Sequence, residues 1–159
     1  MDVERRRELI ARYREGPEVV ERIVAGVGDA ELDHAPADGG WSAREVVHHL
    51  SDSEMTSAVR LRRLLAEDSP VIQGYDEAEF ARRLHYDSRP VASSVAALRA
   101  TRESTASILD VLSDEDWGRS GTHTESGPYS VERWLEIYAS HAHDHAEQIE
   151  RALAEASAP

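Results

Sequence analysis

Four long stretches of this chain carry helix signals and nothing between them reads as a strand, so its apolar residues must be buried helix against helix. The first stretch runs from Val3 to about Arg14. Gly16 and Pro17 interrupt it, and Pro17 suits the first turn of a continuation through about Val27. The second opens with the capping box Ser42-Ala-Arg-Glu45, where serine accepts from a backbone N–H three residues on and glutamate reaches back, and it extends to about Glu67. The third begins at Pro90 and runs to about Leu112; Ser130 caps the fourth, which reaches about Ala156. A short helix is expected from Asp76 to just before Asp87, and one or two turns follow the box Ser113-Asp-Glu-Asp116. Ala37 to Gly40, Ser69 to Tyr75 and Gly118 to Tyr129 read as loops. The expected fold is an all-α four-helix bundle in a single domain, residues 1–159.

A chain of 159 residues can bury a core without covalent staples, and this one has no cysteine. Disulfides, zinc ribbons and a cysteine nucleophile are excluded, and sulfur chemistry would need a thiol from outside. The 31 acidic against 18 basic residues give a net charge of −13, which repels a phosphate backbone and argues against a nucleic-acid partner. The start, Met1-Asp-Val-Glu-Arg-Arg-Arg, lacks the apolar core of a signal peptide, and no apolar run approaches the roughly 18 residues of a membrane span. The expectation is a cytoplasmic protein with a small-molecule substrate and no membrane partner.

His141 and His145 stand four residues apart, which on a helix stacks two imidazoles on one face. Taken alone, such a pair fits two metal ligands or two core histidines bonded to carbonyls. A third ligand would come from His48-His49 in another helix. His49 shares a stripe with the small or apolar Val46, Leu50, Ser53, Ser57 and Leu61, whereas His48 falls with Arg44, Glu45, Asp52 and Met55; His49 is expected to face the core and His48 the solvent. By the same test His141 and His145, in company with Trp134, Tyr138, Ala142 and Ile149, face inward. His143, with Glu136, Ser140 and Glu147, faces outward. Three neutral imidazoles buried together waste desolvation energy unless one cation satisfies them all. Ala142 stands where a zincin has its catalytic glutamate, so the pair is not that protease motif.

The remaining histidines carry less. His34 and His85 read as surface residues. His123 lies in a loop able to fold over one end of the bundle, and is the candidate for a substrate contact or a general base. Trp41 and Trp134 read as packing residues at helix starts. Asp52 and Asp144 read as solvated charges, with support of ligand imidazoles as the other possibility.

Three segments together, Gly40-Trp-Ser-Ala-Arg-Glu-Val-Val-His-His-Leu-Ser-Asp-Ser-Glu54, Ser69-Pro-Val-Ile-Gln-Gly-Tyr-Asp-Glu77 and Tyr138-Ala-Ser-His-Ala-His-Asp-His145, resemble the DinB superfamily, and within it the YfiT-like group named for metal-dependent hydrolysis. The resemblance spans about Pro17 to Ala152. It implies an up-down-down-up four-helix bundle with a histidine triad that binds Zn²⁺ or Ni²⁺, solvent completing the shell. By motif the triad falls on His49, His141 and His145. Relatives include bacillithiol S-transferases and mycothiol-dependent isomerases, which implies a low-molecular-weight thiol as cosubstrate.

A metal held by three histidines keeps its full charge and an open position. Such a position can acidify a water or a thiol, and with the bacillithiol- or mycothiol-type thiol that the resemblance implies, the favoured activity is metal-dependent transfer of that thiol to an electrophile. Hydrolysis by water activated at the metal is the alternative, for which spacing names no general base. A non-catalytic metal-binding stress protein, or a homodimer of bundles, is the third reading.

Overall fold

The computed structural model describes residues 1–157. In chain order it contains α1 (Val3–Val24), α2 (Asp29–Leu32), α3 (Ala43–Ala66), β1 (Val71–Ile72), α4 (Glu77–Arg83), α5 (Val91–Leu109), α6 (Asp114–Trp117), β2 (Ser120–His123), β3 (Gly127–Ser130) and α7 (Val131–Ala156). The expected caps set several starts. Ser42 and Glu45 close the box on α3, and Ser130 accepts from the Arg133 N–H at the head of α7.

Side-chain contacts give the helix directions. Along α3 and α5 the partners rise together, His48 with Ser94 and Arg62 with Thr105, so these two are parallel. Along α3 and α7 they run oppositely, His49 beside His145 and Ser57 beside Trp134. Helix α1 meets α5 antiparallel, Arg14 near Ala106 and Glu21 near Arg99, and meets α7 parallel, Arg6 with Glu132 and Arg12 with His143. The order is up, down, down, up. A parallel α3–α5 pair cannot be joined by a tight turn, and residues 67–90, which hold β1 and α4, make the crossover.

Two loop readings need correction. Residues 69–75 and 118–129 contain a three-stranded sheet in which β1 pairs parallel with β2 (Val71 with Thr122) and β2 antiparallel with β3 (Ser120 with Ser130). Strands of two to four residues are too short to show an alternating pattern.

The break at Gly16-Pro17 is also corrected, because α1 runs through it. Pro17 has no N–H to give the Tyr13 carbonyl, and Arg102 from α5 donates to that carbonyl instead, at 2.7 Å. Gly16 leaves room for this approach: a Cβ there would strike the Arg102 guanidinium and lie 2.7 Å from the Ala142 Cβ.

The apolar core falls into two halves. One, toward the sheet, holds Leu61, Leu64, Leu109, Trp134 and Leu135. The other holds Val20, Val46, Leu50, Leu98 and Ile149. Between them lies a polar layer. Glu54 and Arg102, each 1 % exposed at the side chain, pair at 2.7 Å; Glu54 also accepts from the Tyr13 and Ser57 hydroxyls, and Arg102 donates to the Tyr138 carbonyl at 3.0 Å. The Arg102 guanidinium stacks 4.3 Å from the Tyr13 ring centre. All four long helices thus meet in one hydrogen-bonded network.

Candidate metal centre

His49 lies in the second turn of α3, and the antiparallel fit of α7 brings His141 and His145, one turn apart, against it. One nitrogen from each ring lies within 4.8 Å of the others. Ring centres are 5.5 Å apart for His49 and His141, 4.8 Å for His49 and His145, and 4.6 Å for His141 and His145. His49 is buried, while His141 and His145 are half-buried, so the cluster sits at the edge of the core. His145 is steered by Gln148, whose Oε1 lies 2.8 Å from Nδ1; as an amide oxygen only accepts, Nδ1 carries the proton and Nε2 has a free lone pair. Trp41 packs on His49 at 5.0 Å and Tyr138 sets its ring edge on His141 at 5.7 Å.

The electrostatics favour neutral rings at His49 and His141. Burial, then the neighbouring His145, lowers the His49 pKa to about 4. Burial, followed by His145, His49 and Arg102, lowers that of His141 to about 2. Nδ1 of His141 is buried with no hydrogen-bond partner. An unsatisfied imidazole nitrogen in a cluster of converging rings fits a divalent transition metal, which binds deprotonated imidazole nitrogens and would serve all three rings at once.

The three rings singled out in the sequence lie together, but His48 is not where that reading put it. It is fully buried, not solvated, and is held between Ser94 and the Arg89 carbonyl. Since a carbonyl only accepts, Nε2 carries the proton and Nδ1 accepts from the Ser94 hydroxyl. Its polar neighbours on α3 face the 84–90 segment and α5, which cover that side. Asp52 is likewise buried rather than solvated, accepting from the Tyr86 hydroxyl at 2.7 Å. Asp144 and His85 are exposed and His34 is half-buried. His143 is also half-buried and lies outside the triad, its Nε2 donating to the Arg12 carbonyl at 2.9 Å. Trp134 is a packing residue, fully buried, its indole N–H bonded to the Ser57 carbonyl.

His123 is buried on β2 and is not among the three. Its ring stacks 5.4 Å from Tyr129, and Nδ1 accepts from the Glu125 N–H. Burial, then Arg60, lowers its pKa. Sequence reasoning missed Arg60 and Tyr75 near the triad; each is one residue of a common type, with no spacing to single it out.

Comparison with known proteins agrees with this geometry. The DinB superfamily model matches residues 12–149. An Oceanobacillus iheyensis protein named "Putative metal-dependent hydrolase OB0782" is 34% identical over 142 residues, 89% of this chain and 82% of that one. The Bacillus subtilis protein named "Putative metal-dependent hydrolase YfiT" is 31% identical over 147 residues, 92% of this chain and 83% of its own. A solved structure of YfiT, described as a probable metal-dependent hydrolase with an unusual four-helix bundle topology, superposes with a TM-score of 0.91 at 29% identity, over 98% of this chain and 89% of that one. With most of its length matched by the family model and its fold superposing on that of YfiT, the chain belongs to the DinB superfamily.

Proposed function

We propose that this chain is an enzyme in which His49, His141 and His145 hold one divalent ion, zinc or nickel, and that it transfers a low-molecular-weight thiol to a small electrophile, a carbon–sulfur bond forming as the leaving group departs. The observation that carries the metal assignment is the orphaned Nδ1 of His141 inside a cluster of three converging rings. An ion bound by three neutral ligands keeps its charge and supplies Lewis acidity, enough to acidify a thiol or a water.

The chain's own residues do the rest. Low basicity keeps His49 and His141 unprotonated at neutral pH, and Gln148 fixes the His145 tautomer with Nε2 free. Trp41 and Tyr138 shield His49 and His141. Among the described residues no carboxylate figures in the lowered basicity of His49 or His141, and Glu54 is committed to Arg102, Tyr13 and Ser57. A thiol, whose pKa near 8.5 is far closer to neutrality than that of water, has less need of such a base. The absence of cysteine leaves the protein no thiol of its own to compete.

Hydrolysis is the second reading, favoured by the names of the relatives. Elemental analysis of His49→Ala, His141→Ala and His145→Ala tests the ligand set: each should lose metal, whereas His143→Ala should retain it, and full occupancy in any of the first three removes that residue. Metal-loaded protein is then assayed with an electrophile and an ester, with and without bacillithiol or mycothiol. Ester turnover indifferent to thiol moves the assignment to hydrolase.

A further inference from the structure

Among the described residues three buried side-chain polar atoms have no hydrogen-bond partner: Nδ1 of His141, Nε of Arg60 and Oη of Tyr75. The first belongs to the triad. The other two are linked to it through Tyr138. Arg60 donates from Nη1 to the Tyr138 hydroxyl at 3.0 Å and from Nη2 to the Gln73 carbonyl at 2.7 Å, and its guanidinium carbon lies 5.7 Å from the Tyr75 ring centre. Tyr138 is the residue whose ring edge meets His141. Tyr75 lies near Ser53, one turn along α3 from His49, without forming a well-directed bond to it. A chain of contacts therefore runs from His141 through Tyr138 and Arg60 to Tyr75, which lies near the α3 turn that follows His49.

The chemistry of the two free atoms is specific. Nε–H of arginine only donates. Burial, the largest influence on Tyr75, raises its pKa to about 12, so its hydroxyl is protonated and can donate as well. Two other inward-facing arginines have acidic partners, Arg44 with Asp29 and Asp33 and Arg102 with Glu54, while Arg62 directs its donors to the Ala58 carbonyl and the Thr105 and Ser104 hydroxyls. Arg60 has two neutral oxygen partners and, among the described residues, no carboxylate within ion-pair distance, although the chain carries 31 acidic residues. Glu77 acts on Tyr75 and Glu125 on His123 only at longer range. A half-buried guanidinium without a counter-charge, with a free N–H and its carbon 5.7 Å from the ring of a tyrosine whose O–H is also free, matches a ligand that brings two acceptor oxygens and a negative charge.

We propose that Arg60 and Tyr75 form an anion subsite beside the histidine triad, which takes a carboxylate carried by the substrate or by the thiol, one oxygen accepting from Arg60 Nε–H and the other from Tyr75 Oη–H. As a statement about substrate class this rests on the catalytic reading above; as a binding site it does not depend on it. The subsite selects small acids over neutral analogues. It orients the acid with its reactive end toward the triad.

The test uses two probes on the full-length protein. Propionate is titrated calorimetrically into metal-loaded and metal-stripped wild type, Arg60→Gln and Tyr75→Phe. Thermal unfolding shows that each variant is folded, and the milder Tyr75→Phe carries the test if Arg60→Gln is not. Wild type should bind propionate in both forms, with affinity about tenfold lower in Arg60→Gln, the change expected for loss of a charged hydrogen bond, and about threefold lower in Tyr75→Phe. In cobalt-substituted protein, the thiolate absorption band should saturate at about tenfold lower 3-mercaptopropionate than 2-mercaptoethanol in wild type, and at similar concentrations of both in Arg60→Gln. Propionate binding that is undetectable in wild type, or unchanged in both variants, overturns the subsite. Propionate binding that depends on Arg60 in protein that takes up no metal upholds the subsite and sinks the triad reading alone.

Discussion

The bundle holds two polar clusters, one in its middle and one at the edge of its core. One is complete and the other is not. In the Glu54–Arg102 network the carboxylate accepts from arginine, tyrosine and serine, and the guanidinium meets two backbone carbonyls, one of them freed by Pro17. Every charge has its partner within the chain. In the triad, Nδ1 of His141 has none, and two rings have been stripped of basicity by burial. A bundle able to satisfy an ion pair from four helices does not leave a histidine nitrogen bare for want of polar residues. The difference separates a network completed by its own side chains and carbonyls from a cluster that its own side chains leave incomplete.

Breaking the closed network should have the largest effect. Arg102→Ala leaves Glu54 charged and buried and orphans the Tyr13 carbonyl, so unfolding measured by denaturant should show a loss of about 3–5 kcal/mol. The double variant Glu54→Leu with Arg102→Met removes both charges and should recover much of that loss. A single variant as stable as wild type would mean that the network does not hold the helices.

Opening the triad further should cost less. Stripping the metal from the loaded protein should lower stability by about 2.7 kcal/mol when free metal had been held at a hundred times its dissociation constant, read as a drop in melting temperature that re-addition reverses. Arg102→Ala should still bind metal if it folds. An unchanged melt after complete removal would break the comparison, because the triad would then be as complete alone as the ion pair is.

The two clusters also differed in legibility. The triad was readable because helical period converts spacing into a face: His49 and the His141–His145 pair each sit among small or apolar neighbours. The four long helices were readable from caps and period for the same reason. The ion pair was not, since Glu54 and Arg102 are ordinary helix residues, 48 positions apart, and only the parallel crossover sets them opposite each other. His48 failed in a related way. Its neighbours on α3 are polar, but Tyr86, Arg89 and Ser94, contributed from distant sequence, bury and bond them. The sheet escaped because its three strands stabilise one another, with too few residues in each to mark the sequence.

Acid should act on the triad. In the unfolded chain a histidine titrates near 6.5, whereas the folded, metal-free protein holds His49 near 4 and His141 near 2. Below about pH 6.5 the unfolded chain takes up protons that these folded rings refuse. Their neutral burial is thus fully tolerated above that pH, and stability is lost as pH falls toward the folded values. The slope should approach about 1.4 kcal/mol per pH unit for each ring. Denaturant unfolding of metal-free protein between pH 7 and 5 checks this against His49→Leu with His141→Leu, in which the slope should be much reduced. Equal slopes would show that other groups govern the acid response.

The smallest expected effect bears most directly on the contrast between a satisfied and an unsatisfied cluster. His141→Leu removes the bare nitrogen and puts a side chain of similar bulk into a half-buried position next to Tyr138. In the metal-free protein this should be neutral or stabilising, by up to about 1 kcal/mol, because a buried polar atom without a partner costs more than an apolar one in its place. In the loaded protein the sign should reverse, since the variant forfeits the metal and the stability that comes with it. Paired denaturant titrations with and without added zinc measure both signs. If His141→Leu destabilises the metal-free protein by more than about 1 kcal/mol, the imidazole has a partner within the fold, such as a bound water, and the triad is nearer to the closed network than its bare nitrogen implies. A reversal of sign on adding zinc, with none in Arg102→Ala, would place the ion requirement in the triad alone.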